Sequence, residues 1–324
     1  MQYREIGKSG IKASVVAIGT WQMGGWRWGG TDETAAINTI HAAMDAGITL
    51  IDTAPAYGQG LSEEVVGKAL KGRRHKAILA TKCGLVWHVD KGTFFFQQAG
   101  GPIYKYLGPE SIRYEIEQSL KRLQTDYIDL YQTHWQDSTT PIEATMETLL
   151  QLQAEGKIRT IGVSNAAPSH MKEYLKYGNI ASDQELYSMF DRQVEAENQP
   201  YCNDNQISIL SYAPLAKGLL SGKIGPERIF KGDDQRLGNP RFTPGNLQRV
   251  RDLLKKFDPI TETHKINYTQ LAIAWNFSQP GTTHVLAGTQ KPEQAIDNAG
   301  AGDVRLNPSE MAMINQALAE FTWE

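Results

Sequence analysis

The chain is poor in cysteine. It has two, Cys83 and Cys202, among 324 residues, with no Cys-x-x-Cys and no Cys/His ligand spacing. That excludes a disulfide framework and a structural zinc site, and the expected metal content is none. No apolar run approaches the roughly 20 residues of a membrane span. Met1–Ser9 is charged and lacks the apolar segment of a signal peptide. The expectation is a cytoplasmic protein that meets no membrane. No block of five or more like charges occurs, and the net charge is −3. Nothing therefore marks a nucleic-acid footprint. G-x-G-x-x-G is absent as well, so a Rossmann fingerprint cannot be claimed.

What is present is an ordinary globular balance, 40% hydrophobic and 21% charged. The length exceeds a minimal domain but suits one α/β barrel of roughly 250 residues plus insertions. Strand-like and helix-like segments alternate. The apolar runs Val15–Gly19, 48–52, 77–82, 127–134, 159–164, 181–184, 207–212 and 283–287 read as strands. Helical spacing is read from Thr31, as cap, to Ala46, with Ile37, Ile40 and Met44 on one face. Further helices are read over 63–70, 109–123, 141–155, 168–177, from Pro292, and over 308–319. Pro109 suits the first turn of its helix.

Eight strand–helix units in series predict a (β/α)8 TIM barrel. An open doubly wound sheet is the alternative. Residues 1–13, with Gly7 and Gly10, predict a small N-terminal hairpin outside the barrel. All 324 residues are expected to form a single barrel domain. Two stretches, 84–108 and 216–245, are too long for turns and should lie as loops over the C-terminal face, where long loops serve binding.

Three ionisable residues end three successive strands: Asp52, Lys82 and His134, with Tyr57 in the loop after the first of them. Singly, each has an ordinary structural explanation. Together they make a proton-transfer site on the face where barrel enzymes place chemistry. The phenol can donate a proton, the ammonium should lower its pKa, and the carboxylate should hold the ammonium.

Trp21, Trp26, Trp28, Trp87 and Trp135 fall in loops just after the first, third and fourth strands. Such clustering at one rim suggests a substrate pocket wall, since aromatic faces stack on sugar CH groups or flat ligands. A mini-core within the loops is the alternative, above all for Phe94–Phe96. Asn165 and Gln184, at two strand ends, carry amides suited to recognising another amide. Gly288-Thr289-Gln290-Lys291 leads into a helix at Pro292 and offers N–H groups, a hydroxyl and a cation for phosphate. Cys83, Cys202, His75, His170 and His264 read as surface or packing residues.

These residues together resemble the aldo-keto reductase family, in particular bacterial members acting on sugars, inositols or small aldehydes. Asp52-Thr53-Ala54-Pro55-Ala56-Tyr57-Gly58, followed by Ser62-Glu63, is similar to the family's first signature. Asp129–His134 resembles its histidine strand, and Gly162-Val163-Ser164-Asn165 its G-V-S-N turn. Tyr212–Leu215 with Gly218–Lys223 resembles its pyrophosphate-covering loop.

The resemblance implies an NADP(H)-dependent oxidoreductase, with NAD(H) as the alternative cofactor, that converts the carbonyl of a sugar or small aldehyde or ketone to an alcohol. It makes Tyr57 the general acid, tuned by Lys82 and Asp52, with His134 orienting the carbonyl. It assigns Ser164, Asn165 and Gln184 to the nicotinamide carboxamide and Tyr212 to the ring. Thr20, Trp21, Leu215, Lys217, Gly218, Gly288, Thr289, Gln290, Lys291, Gln294 and Asn298 complete the expected cofactor site. Where many members have a Lys-Ser pair and then an Arg, this chain has Gly288, Thr289 and Gln294, leaving Lys291 as the cation for a 2′-phosphate. A cofactor-binding sensor subunit with little turnover, and a Schiff-base enzyme using Lys82, are the competing readings.

Overall fold

The computed structural model describes residues 1–98 and 100–324; position 99, in the first long stretch, lies outside them. Eight parallel strands close into a barrel: Val16–Gly19, Leu50–Asp52, Ile78–Cys83, Ile128–Thr133, Ile158–Ser164, Ser182–Leu186, Ser208–Tyr212 and Thr282–Leu286, here the first to eighth barrel strands. Each pairs with its sequence neighbour, and the eighth pairs with the first. This is the (β/α)8 barrel that the alternation predicts; the open sheet is excluded.

Inward-facing side chains form layers. Ala17, Leu50, Ala80, Leu130, Leu210 and Leu286 fill the interior. Ile6, Ile11 and Ala13 of the N-terminal hairpin (Tyr3–Glu5 paired with Lys12–Ser14) pack against them. One step further along the strands, where a continued apolar layer would stand, are Asp52, Lys82 and Gln132. Period-two alternation places them inside, so the polar layer floors the C-terminal mouth.

The helices cover the outside with apolar faces. Pro109–Leu123 buries Ile112, Ile116 and Leu123, with Pro109 in its first turn as expected. Glu33–Asp45 is capped by Asp32, whose carboxylate accepts from Ala35 N, and not by Thr31. Thr31 donates instead to the Met23 carbonyl. The buried face of that helix is Ala36, Thr39, Ile40 and Ala43, with Ile37 and Met44 only half-buried.

The long stretches are more structured than their composition suggests. Within 84–108, strands Leu85–Val86, Thr93–Gln98 and Gly101–Lys105 form a small antiparallel sheet. From the end of the second stretch onward, Pro244–Lys255, Asp258–His264 and Tyr268–Phe277 are helices. They build a second apolar cluster with the terminal helix Pro308–Ala319, centred on Phe257, Leu271 and Trp275. No helix of the described residues is long and apolar enough to cross a membrane.

Candidate active site

Lys82 is fully buried, which is tolerable only with partners. Its Nζ donates to Asp52 Oδ1 at 2.6 Å, to the Thr53 carbonyl at 2.9 Å and to the Tyr57 hydroxyl at 3.3 Å. An ammonium has three protons, and all three are used. Asp52 Oδ2 faces away from Lys82 and accepts from two amides, Gln184 Nε2 at 2.9 Å and Gln132 Nε2 at 3.3 Å.

The Tyr57 loop is set by a tight backbone contact. Gly58 has φ +67°, and a Cβ there would stand 2.3 Å from the Gly24 carbonyl oxygen. Glycines at 24 and 58 thus let the Trp21 loop lie on the Tyr57 loop. His134 is held by its own N–H, which donates to the Cys83 carbonyl at 2.9 Å. Its ring meets that of Tyr57 edge-on at 5.6 Å.

Burial pushes the Tyr57 phenol above its ordinary pKa, and Lys82 opposes this without overcoming it. Lys82 does bring the phenol down, as expected, by its charge and its hydrogen bond, but burial and the Asp52 charge raise it and the net direction is upward. Burial by itself would lower Lys82, but Asp52 and Tyr57 more than reverse it, so the ammonium is strongly held. Burial and the nearby Lys82 hold His134 well below the usual imidazole range, so it is neutral at pH 7.

Above this network lies a cavity of about 920 Å³. Every residue expected at the cofactor site lines it, from Thr20 and Trp21 through Ser164, Asn165, Gln184 and Tyr212 to Gly288–Lys291, Gln294 and Asn298. The amide residues are pre-set by one another. Ser164 Oγ donates to the Gln184 carbonyl at 2.7 Å, and Asn165 Nδ2 donates to the His134 carbonyl at 3.0 Å. Tyr212 OH donates to Asn165 Oδ1 at 3.0 Å. With Gln184 Nε2 committed to Asp52, its Oε1 is the atom left to accept from a carboxamide.

At the far end, Thr289 Oγ1 donates to Gln294 Oε1 at 2.6 Å and accepts from Lys291 N–H at 3.1 Å. Lys291 is exposed just before the helix Pro292–Gly300, at the end favoured by anions. The cavity size, the oriented amides and this cationic helix start fit a nicotinamide dinucleotide.

Four of the five tryptophans line the same cavity: Trp21, Trp26, Trp28 and Trp135. Trp87 does not. It packs against the apolar cluster of Ala56, Leu85 and Ile103. The two readings of Phe94–Phe96 divide by residue. Phe95 and Phe96 join the wall, Phe96 stacking on Trp26 at 5.2 Å, while Phe94 points outward. Sequence reasoning missed Gln22, Arg228 and Arg236 in the lining. The charge-rich composition of 216–245 was the only signal for the two arginines. Gln132, two residues before His134, is fully buried and absent from the wall. Among the described residues no His/Cys/Asp/Glu cluster could hold a metal.

The chain matches the model of the Aldo/keto reductase family over residues 15–319. It is 42% identical to aldo-keto reductase YhdN of Bacillus subtilis, over 98% of this chain and 94% of that protein. It is 39% identical to an NADH-specific methylglyoxal reductase of Escherichia coli, over 96% of each. In structure it resembles a glycerol dehydrogenase from Gluconobacter oxydans, with a TM-score of 0.87 and 36% identity over 96% of this chain and 93% of that one. An aldo/keto reductase from Klebsiella pneumoniae, solved with NADP and acetate, gives 0.72 and 28% over 96% and 93%.

Proposed function

The chain belongs to the aldo/keto reductase family, and from that premise we propose that it reduces a small polyhydroxylated carbonyl compound, a sugar or sugar derivative, with Tyr57 as proton donor. It is an NAD(P)H-dependent carbonyl-reducing oxidoreductase, with NADP(H) as cofactor and NAD(H) as the alternative. The observation that carries the reading is the buried chain Asp52–Lys82–Tyr57, which opens beside His134 onto a tryptophan-walled cavity.

A nicotinamide cofactor held in this cavity would supply the hydride for the carbonyl carbon. Tyr57 gives its hydroxyl proton to the carbonyl oxygen as that oxygen gains charge. Lys82 stabilises the phenolate left behind, and Asp52 keeps Lys82 in place. Neutral His134 directs the carbonyl oxygen toward Tyr57. Asn165, Ser164 and the free Oε1 of Gln184 take the carboxamide, and Tyr212 meets the ring. Lys291 takes a 2′-phosphate. Trp21, Trp26, Trp28 and Trp135 stack on the CH face of the substrate.

We read all 324 residues as one barrel domain acting in the cytoplasm. Two buried free thiols, Cys83 and Cys202, suit a reducing compartment.

The test is loss of nicotinamide absorbance with NADPH and a panel of aldoses, ketoses, sugar aldehydes, methylglyoxal and benzaldehydes. Wild type and Trp21→Ala are compared by kcat/KM. The sugar reading expects polyhydroxylated substrates to lead and to suffer most in the variant. A strong, tryptophan-independent preference for benzaldehydes would overturn it.

A further inference from the structure

Asp52 holds Lys82 with one oxygen only. Its second oxygen takes two amide N–H groups, from Gln132 on the fourth strand and Gln184 on the sixth. Gln184 already serves the cavity wall. Gln132 does not: it is fully buried in the fourth strand, in register with Lys82 and Gly162. A Cβ at Gly162 would stand 3.0 Å from Gln132 Cγ. The bare glycine on the fifth strand thus leaves room for the Gln132 side chain, whose amide reaches Asp52 on the second strand. A fully buried amide in a layer above Leu130 is costly, and its Oε1 has no partner among the described residues. Its bond to Asp52 is its one polar contact among the described residues.

We propose that Gln132 is a positioning residue for proton delivery, which drains charge from Asp52 and thereby sets how tightly Lys82 and Tyr57 keep their protons. This rests on Tyr57 being the proton donor. Each N–H on Oδ2 shares the carboxylate's negative charge. Without Gln132 that charge weighs more on Oδ1, the Lys82 ammonium is gripped harder, and a phenolate at Tyr57 is opposed more strongly. Tyr57 is faced by Asp52 and Lys82 from the second and third strands, by His134 beyond the fourth, and at longer range by Tyr212 of the seventh. Of these, Gln132 hydrogen-bonds Asp52, so it acts on the phenol through that carboxylate.

The experiment records the pH profile of kcat/KM for NADPH-dependent carbonyl reduction in wild type, Gln132→Leu and Gln132→Met, with NADPH affinity measured by fluorescence. Methionine keeps the length of the side chain while removing the donor, so it carries the test if leucine disrupts folding. The alkaline limb, where reduction fails as Tyr57 loses its proton, should move to higher pH by about half a unit, the scale of one hydrogen bond. NADPH affinity should stay within about twofold, because Gln132 is absent from the cavity wall. A limb that stays in place, whether activity is kept or falls equally at every pH, overturns the proposal. Tyr57→Phe separates the two levels. Normal turnover in that variant defeats the proton-donor reading itself, whereas an inactive Tyr57→Phe with an unmoved Gln132 profile defeats only the role of Gln132.

Discussion

Lys82 reaches Tyr57 at 3.3 Å while its shorter bond, 2.6 Å, goes to Asp52. The ammonium is thus anchored below and leans on the phenol above. Tyr57→Phe removes the proton and leaves this anchor whole. Carbonyl reduction should fall by at least about a thousandfold, as expected when proton transfer is lost, with NADPH affinity changed only a few-fold. Steady-state kinetics and cofactor titration check both halves.

Lys82→Met should also cripple turnover, because the phenol would keep its burial and lose its stabilising charge. Asp52 would retain two amide donors on Oδ2, so the chain should still fold, with a lowered melting temperature. Borohydride trapping of a substrate adduct on wild-type Lys82 would point instead to Schiff-base chemistry.

Lys291 precedes the helix Pro292–Gly300 and carries its charge into solvent beside the cavity. One charge-assisted contact to a 2′-phosphate contributes about 1.5–3 kcal/mol, so Lys291→Ala should weaken NADPH roughly ten- to a hundredfold. NADH should barely change. Equal losses for the two cofactors, measured by titration, would place Lys291 elsewhere.

Glu115 is a buried carboxyl behind the third strand. It accepts from Gly84 N–H at 3.0 and 3.2 Å, and burial pushes it up to about 8. A carboxyl with a raised native pKa binds more protons folded than unfolded. Stability should therefore fall as pH rises from the unfolded value near 4.3 through about 8. Glu115→Gln should flatten this loss. Thermal melts at pH 5 and pH 9 compare the two; an equal pH response in both proteins would remove Glu115 as the cause.

The sequence alone determined the barrel, because period-two strands alternating with 3.6-period helices leave few closed solutions. It placed the candidate ionisable residues on one face too. In a parallel barrel every strand ends at one face, so Asp52, Lys82 and His134 had to meet. Local signals also sufficed for Pro109–Leu123 and Pro168–Tyr177, where a proline start and an apolar stripe coincide.

Tertiary structure decided what depends on depth and on distant partners. Parity put Gln132 inside the barrel but could not say how deep, and so its amide serves Asp52 and not a ligand. Trp87 and Trp135 follow neighbouring strands and pack on the same apolar cluster, yet of the two Trp135 alone lines the cavity. Lys82 lowers the Tyr57 phenol as its charge predicts, while the depth of burial, which with Asp52 outweighs it, comes only with the fold. Charge pairing can be foreseen from residue types, whereas desolvation is set by everything packed around a group and exists only once the chain has folded.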